Sequence, residues 1–373
     1  MESADGISII IPTYGRSSLL KLLLESICAD VQSCDFPTEV ILADSSEGSE
    51  KECVQQLAGR FGAIRVTAPR HIGAARNVAL RHAAFDYVLF FDSDVTISPG
   101  TLYAHYEMLH VGADSCLGLV EFVGRSTFAW RAVESMQLML PFRYAFILKS
   151  VPWGPAANLS FRRSSLLAVD GFDASLPAYG GEDVDLGFRF TDAGFHIATS
   201  RAAVAKHTTD TWASWSQNIP KLIRYGRADF YLIDRHPNRA YIDIASHFVA
   251  VATQIGVATI AALIYGGESW LWLGCALVLS IFVHHAVYAL LKRQPGTSYW
   301  KHLAGPLIIN LLDLGKIVEA VKNHRFSAIL LRLKYLDDII ERDWPEISAS
   351  AWGVYASMLV FMLGMIFAAT RSR

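Results

Sequence analysis

Asp92-Ser93-Asp94 sets two carboxylates one residue apart, directly after the apolar run Leu89-Phe90-Phe91. In an extended strand both side chains would point to one side, ~7 Å apart, and a turn would bring them closer. Two negative charges at that range repel, so solvent must screen them or a cation must sit between them. Carboxylate oxygens are hard ligands suited to Mg²⁺ or Mn²⁺, which in turn hold phosphate oxygens. A solvated turn is the plainer alternative, because the triplet is short and common. A second acidic run, Glu182-Asp183-Val184-Asp185, follows the pair Gly180-Gly181. Such carboxylates can cap a helix that begins there or take a proton from a hydroxyl. Gly73-Ala74-Ala75-Arg76-Asn77 reads as a helix start, whose free N–H groups favour an anion.

The elements that must position these groups are legible in the first part of the chain. Residues 7–11, 38–43, 64–68 and 86–91 are short runs rich in Ile, Val, Leu and Phe. Each has the length and composition of a strand buried on both faces. Residues 17–31, 50–61 and 73–84 between them carry helical patterns. Alternating strands and helices imply an α/β fold with a mainly parallel sheet and right-handed crossovers. Ligands of such sheets bind beyond the carboxyl ends of the strands. Pro12-Thr13-Tyr14, Asp44-Ser45-Ser46 and Asp92-Ser93-Asp94 all lie at such ends and define a candidate pocket.

Further pieces follow in a set order: Trp153-Gly154, Asn158-Leu159-Ser160-Phe161-Arg162, Gly171-Phe172-Asp173 and Gly180-Gly181-Glu182-Asp183 through Arg189. With Ile9 to Tyr14, Asp44, the Gly73–Asn77 stretch and the Asp-Ser-Asp triplet, this set resembles the family 2 glycosyltransferases with the GT-A fold. The resemblance covers residues 7–235, and it rests on the ordered set rather than on any one motif. It implies a Rossmann-like catalytic domain over residues 1–235 that uses a nucleotide sugar. Pro12, Thr13 and Tyr14 would border the base, and Asp44 would accept a hydrogen bond from it, typically from uracil. Arg76 would lie near the diphosphate. Asp92 would face the ribose and metal, and Asp94 would bind the Mg²⁺ or Mn²⁺ that bridges the diphosphate. His207 would complete the metal shell, as in some members. Asp183 would be the general base for the acceptor hydroxyl, in a displacement that inverts the sugar carbon. Trp153, Glu182, Arg224 and Arg227 are candidates for the acceptor side. Asp44 as a cap for the helix near residue 50, and Arg76 as a surface residue, are the plainer readings.

The rest of the chain obeys different physics. Hydrophobic residues make up 52% of the whole and charged residues 18%, weighted toward the C-terminal third. Residues 244–265, 269–291 and 351–370 each reach the ~20 apolar residues that cross a bilayer as a helix. Arg235 and Arg239 before the first run, and Lys292, Arg293 and Lys301 after the second, place both flanks in the cytosol. Residues 236–373 are therefore expected to form interfacial and transmembrane helices. Asp313, Lys316 and Glu319 are costly in lipid. Their segment reads as an amphipathic helix on the membrane surface, with Lys322, Arg325, Arg332 and Lys334 toward anionic headgroups. A net charge of -2 argues against a nucleic-acid partner. Five cysteines without metal spacing fit a reducing compartment, and the first residues carry no secretory signal pattern. The combined expectation is a multi-pass membrane protein with a cytosolic catalytic domain. It would move one sugar to a membrane lipid or lipid-linked glycan. The Gln-x-x-Arg-Trp motif of processive members has no match, since Gln217 and Arg224 are too far apart. A processive polysaccharide synthase and a non-catalytic sugar-nucleotide-binding membrane protein are the alternatives.

Overall fold

Ile7, Ile9, Ile10 and Ile11 are all fully buried, so the first strand is covered on both faces, as strands inside a parallel sheet are. The computed structural model describes residues 4–136, 138–177, 180–243, 246–265, 269–292, 302–336 and 340–371. Contacts divide the chain into two units, residues 1–125 with 139–211, and residues 126–138 with 212–373.

The first unit is built on one mixed sheet. Its strands are β1 (Ala4–Thr13), β2 (Thr38–Asp44), β3 (Ile64–Thr67), β4 (Phe85–Phe91), β5 (Val95–Ile97), β6 (Ser115–Val123), β7 (Ser150–Val151), β8 (Asn158–Arg162) and β9 (Ile197–Thr208). They run in the order β3-β2-β1-β4-β8-β6-β9-β5, with β7 also paired to β9. The β3-β2-β1-β4 half is parallel throughout. β8 is antiparallel to β4 and to β6, which makes the sheet mixed. The helices α1 (Ser17–Val31), α2 (Gly48–Phe61) and α3 (Ile72–Leu80) connect the strands of the first half, and α4 (Thr101–His110) links β5 to β6. β3 departs from the expected burial. It is the edge strand, and Ile64 and Thr67 are exposed, because an edge has a neighbour on one side only.

Asn158, which sits in a glycosylation-like triplet, is fully buried here. Its amide donates to the carbonyls of Leu119 and Ala203, and its oxygen meets His105 at 2.8 Å. Burial lowers the His105 pKa to about 4, so the ring is neutral. This polar knot ties α4 to the centre of the sheet.

The second unit opens with α5 (Phe128–Ser135). The first unit adds the short helices α6 (Tyr144–Ile147) and α7 (Arg163–Ala168), and then α8 (Glu182–Asp192). The second unit continues with α9 (Trp215–Arg235), the strands β10 (Ala240–Ile242) and β11 (Leu331–Leu333), α10 (His247–Tyr265), α11 (Ser269–Lys292), α12 (Gly305–Lys322) and α13 (Ile340–Arg371). Three stretches of these helices, Phe248–Tyr265, Trp270–Leu291 and Ala351–Thr370, are long and apolar enough to cross a membrane. One buried glutamine links all three. Gln254 accepts from Ser280 at 2.8 Å and donates to Ser357 at 3.4 Å. Polar side chains of this kind hold helices together where lipid offers no partner. The flanking Arg293 and Lys301 lie outside the described residues.

α12 corrects one expectation. Asp313, Lys316 and Glu319 do not form a wet face, being only 2%, 3% and 0% exposed. Glu319 accepts from Arg227 and Tyr231, and Lys316 donates to the Leu331 carbonyl at 2.7 Å. Arg332 does not turn to headgroups either. It pairs with Asp313 and Asp243, each at 2.9 Å. Glu319 is inward because α9 and α12 approach closely, while Lys316 and Asp313 find their partners on β11. At Gly226 an added Cβ would sit 1.8 Å from the Leu312 carbonyl oxygen. Lys322 and Arg325 do remain exposed.

Candidate functional site

The apolar residues of β4 stop at Phe91, and Asp92 to Asp94 turn the chain into β5. β9 runs antiparallel to β5 with Val95 opposite His207, which brings the imidazole to the same turn. Asp92, Asp94 and His207 offer ligand atoms that all lie within 4.8 Å of one another. His207 Nδ1 is 2.9 Å from the Thr208 carbonyl, which can only accept, so this nitrogen carries the proton. In the neutral tautomer Nε2 presents a lone pair, and it lies 3.4 Å from Asp94 Oδ1. Two carboxylates and an imidazole nitrogen converge on one point of the turn. A hard divalent cation satisfies that set, so the donor chemistry fits Mg²⁺ or Mn²⁺.

Arg76 projects inward from α3 and is 2% exposed, which excludes the surface reading. Its Nη2 lies 2.9 Å from Asp92 and its Nη1 2.8 Å from Glu182. One guanidinium thus joins the Asp-Ser-Asp turn to the acidic start of α8. Burial raises the Asp92 carboxyl above its usual range, while Arg76 opposes that rise. α3 itself is held by its motif neighbours. Asn77 donates to the Phe172 carbonyl at 2.6 Å and accepts from the Phe172 amide at 3.0 Å. The His71 ring accepts from Ala74 N–H at the helix start.

α8 begins after Gly180 and Gly181, whose φ values of 104° and 87° suit glycine. Gly181, not Asp183 or Asp185, is the N-cap. Asp185 pairs with Arg189 at 2.8 Å, and Arg189 also holds the Val169 and Gly171 carbonyls. Asp183 is half-buried and bonded to the Val184 N–H at 2.9 Å. Burial, and then the charge of Glu182, push its carboxyl up to about 7. A carboxylate tuned near neutral pH is suited to take a proton.

Thr13 and Asp44 are neighbours across the β1–β2 ladder, as strand ends on one edge should be. Asp44 does not cap α2. It accepts from the Ser46 N–H at 2.8 Å and from Arg65 at 2.7 Å, with its side chain fully buried. Pro12 is buried beside it, and Tyr14 is exposed under the Arg70 guanidinium at 4.0 Å. Arg16 Nη1 lies 2.9 Å from Asp94 Oδ2. Arg16, Arg65 and Arg70 escape a reading by motif, because their partners are set by strand order and not by spacing. Trp153 is buried in the first unit against Gly187, where an added Cβ would lie 2.3 Å from the Trp153 Cβ. Arg224 and Arg227 belong to the second unit. Arg224 is exposed, whereas Arg227 is committed to Glu319 at 2.5 Å.

Comparison with known proteins adds four likenesses. Residues 8–168 match the family model described as glycosyl transferase family 2. Chondroitin synthase of Escherichia coli is 26% identical over 242 residues, covering 54% of this chain and 34% of that protein. The pre-mycofactocin glycosyltransferase of Mycobacterium tuberculosis is 29% identical over 244 residues, covering 62% of this chain and 48% of that protein. The chain thus spans about a third to a half of the length of these curated relatives. Among solved structures, the mannosyltransferase PcManGT from Pyrobaculum calidifontis, in complex with GDP-Man and Mn²⁺, superposes with a TM-score of 0.51. That match covers 85% of this chain and 90% of the other at 18% identity, and so bears on the fold alone. Residues 8–168 thus form a domain that matches glycosyl transferase family 2, and the sheet and the superposition show the GT-A type of fold.

Proposed function

We propose that the protein transfers one sugar, with inversion, from a nucleotide sugar to a lipid or lipid-linked glycan acceptor in the membrane. One observation carries this reading. A metal-type cluster of Asp92, Asp94 and His207 is joined through Arg76 to the Glu182-Asp183 pair, within a single unit. Asp92, Asp94 and His207 would hold Mg²⁺ or Mn²⁺, which offsets charge on the departing diphosphate. Asp183 takes the proton of the acceptor hydroxyl, and the freed oxygen pair bonds to the anomeric carbon. The carbon–oxygen bond to the diphosphate breaks, and the nucleoside diphosphate leaves with that electron pair. Attack opposite the leaving group inverts the centre. Thr13, Tyr14, Pro12 and Asp44 lie on the edge proposed for the base, which we take to be uracil first. Asp44 would act there together with Arg65, its bonded partner. Arg76 serves the diphosphate through Asp92 instead of touching it, since both its ends are occupied.

Residues through 235 supply the catalytic part, and residues 236–373 the membrane part, with the catalytic side in the cytosol. The apolar helices support a membrane acceptor, and exposed Arg224 on α9 is the acceptor-side phosphate contact that remains open. A processive polysaccharide synthase is the second reading, favoured by the synthase names among the relatives. The test uses the full chain in detergent with Mn²⁺, labelled UDP- and GDP-sugars, and membrane lipid extract. Label in lipid bearing a single sugar, lost on chelation, is expected. Polymeric product would select the second reading, and absence of transfer from every donor would reject both.

A further inference from the structure

Arg16 has no part in the reaction above, and its geometry is unusual in two ways. It is the N-cap residue of α1, yet its backbone is left-handed, with φ 57° and ψ 37°. A non-glycine residue there is strained, and such strain clusters at active sites and ligand clamps. Its guanidinium, on a side chain 55% exposed, reaches a carboxylate only 12% exposed. That carboxylate is Asp94, and the bond is to Oδ2. The other oxygen, Oδ1, faces His207. Arg16 therefore occupies a position that a cation shared by Asp92, Asp94 and His207 would claim.

A guanidinium and a divalent cation repel, so both cannot hold Asp94 closely at once. We propose that Arg16 is a resident counter-ion for Asp94 that moves to the donor's diphosphate when metal and nucleotide load together. This rests on the function proposed above. Arg16 lies in the loop between β1 and α1, two residues from Tyr14, on the edge where that donor would sit. Its fork of N–H groups matches phosphate oxygens, and its half-exposed stem leaves it free to swing. The exchange couples the two ligands. Metal alone must displace Arg16 into water, whereas metal with a diphosphate gives the guanidinium a new anion.

The test measures Mn²⁺ binding to the full chain in detergent by the loss of the free-ion paramagnetic signal. Mn²⁺ alone is compared with Mn²⁺ plus UDP or GDP, for wild type, Arg16→Gln and Arg16→Lys. The Gln variant should bind Mn²⁺ alone about two- to fivefold tighter, the strength of a partly exposed ion pair. It should bind the nucleoside diphosphate, with Mn²⁺ saturating, about tenfold more weakly, as expected for a lost charged hydrogen bond. The Lys variant should keep part of both effects. A structural role would move both affinities the same way, so opposite signs are the signature. Unchanged or weaker binding of Mn²⁺ alone by the Gln variant overturns the proposal, as does undiminished diphosphate binding. If wild type binds no Mn²⁺ under any condition, the proposed function fails first and this inference falls with it.

Discussion

Arg76→Met removes the cation that separates Asp92 from Glu182. The guanidinium is 2% exposed, and its pairs measure 2.9 and 2.8 Å. Breaking a buried pair by removing one partner destabilises by about 3–5 kcal/mol, because the remaining charge is left without compensation. Two features set the value within that range. Arg76 Nε finds no hydrogen-bond partner among the described residues, so the triad is incompletely satisfied. The Asp92 side chain is 29% exposed, so water screens one end after the loss. Both favour about 3 kcal/mol. A domain of about 150–250 residues melts about 2–4 °C lower per kcal/mol, which gives a drop of about 6–12 °C. Intrinsic-fluorescence melting of the full chain, with and without Mn²⁺, is the assay. Mn²⁺ should restore part of the drop by giving Asp92 a cation again, while Glu182 stays unpaired. Arg76→Lys should lose less, since it keeps a charge but not the fork. Melting of Arg76→Met within about 2 °C of wild type would refute the reasoning, because an unpaired buried charge cannot be that cheap.

Asp183→Asn should lower the transfer rate about 10²–10⁴-fold while leaving Mn²⁺ and nucleotide binding intact. In wild type, transfer should rise as pH climbs through about 7, where this carboxyl loses its proton. The same elevated value gives Asp183 a stabilising contribution below pH about 4 that is lost as pH rises through about 7. His105 has the opposite sign. Its folded pKa of about 4 means the stability held above pH about 6.5 is lost as pH falls through about 4. Denaturant midpoints measured over that interval should fall, and a flat profile would contradict a buried neutral ring. Gly226→Ala should destabilise the second unit by about 1–3 kcal/mol or more. The new Cβ would sit 1.8 Å from the Leu312 carbonyl oxygen, and thermal melting reads the loss.

Much of the fold was legible in advance. The strands expected at 7–11, 38–43, 64–68 and 86–91 are β1 to β4, with bounds shifted by a few residues. The helix expected over 73–84 ends at Leu80, because the chain turns at residues 81–84 to enter β4. The three apolar runs are helices of spanning length. Asp92 and Asp94 stood out by spacing, whereas their companion His207 came only through the family resemblance. The error at Asp313, Lys316, Glu319 and Arg332 has a definite origin. Charge in an apolar segment reads as a wet face only while its partners are unknown.

The sequence by itself determined the elements, the apolar spans and the acidic positions at strand ends. Those follow from periodicity, run length and residue type, which are properties of neighbours along the chain. Tertiary structure alone decided the pairings. Arg16 meets Asp94 across 78 residues, Arg76 meets Glu182 across 106, and Arg227 meets Glu319 across 92. Such partners are chosen by which strand ends and helix faces come together. The strength of each pair then depends on burial, and burial is a property of the folded chain.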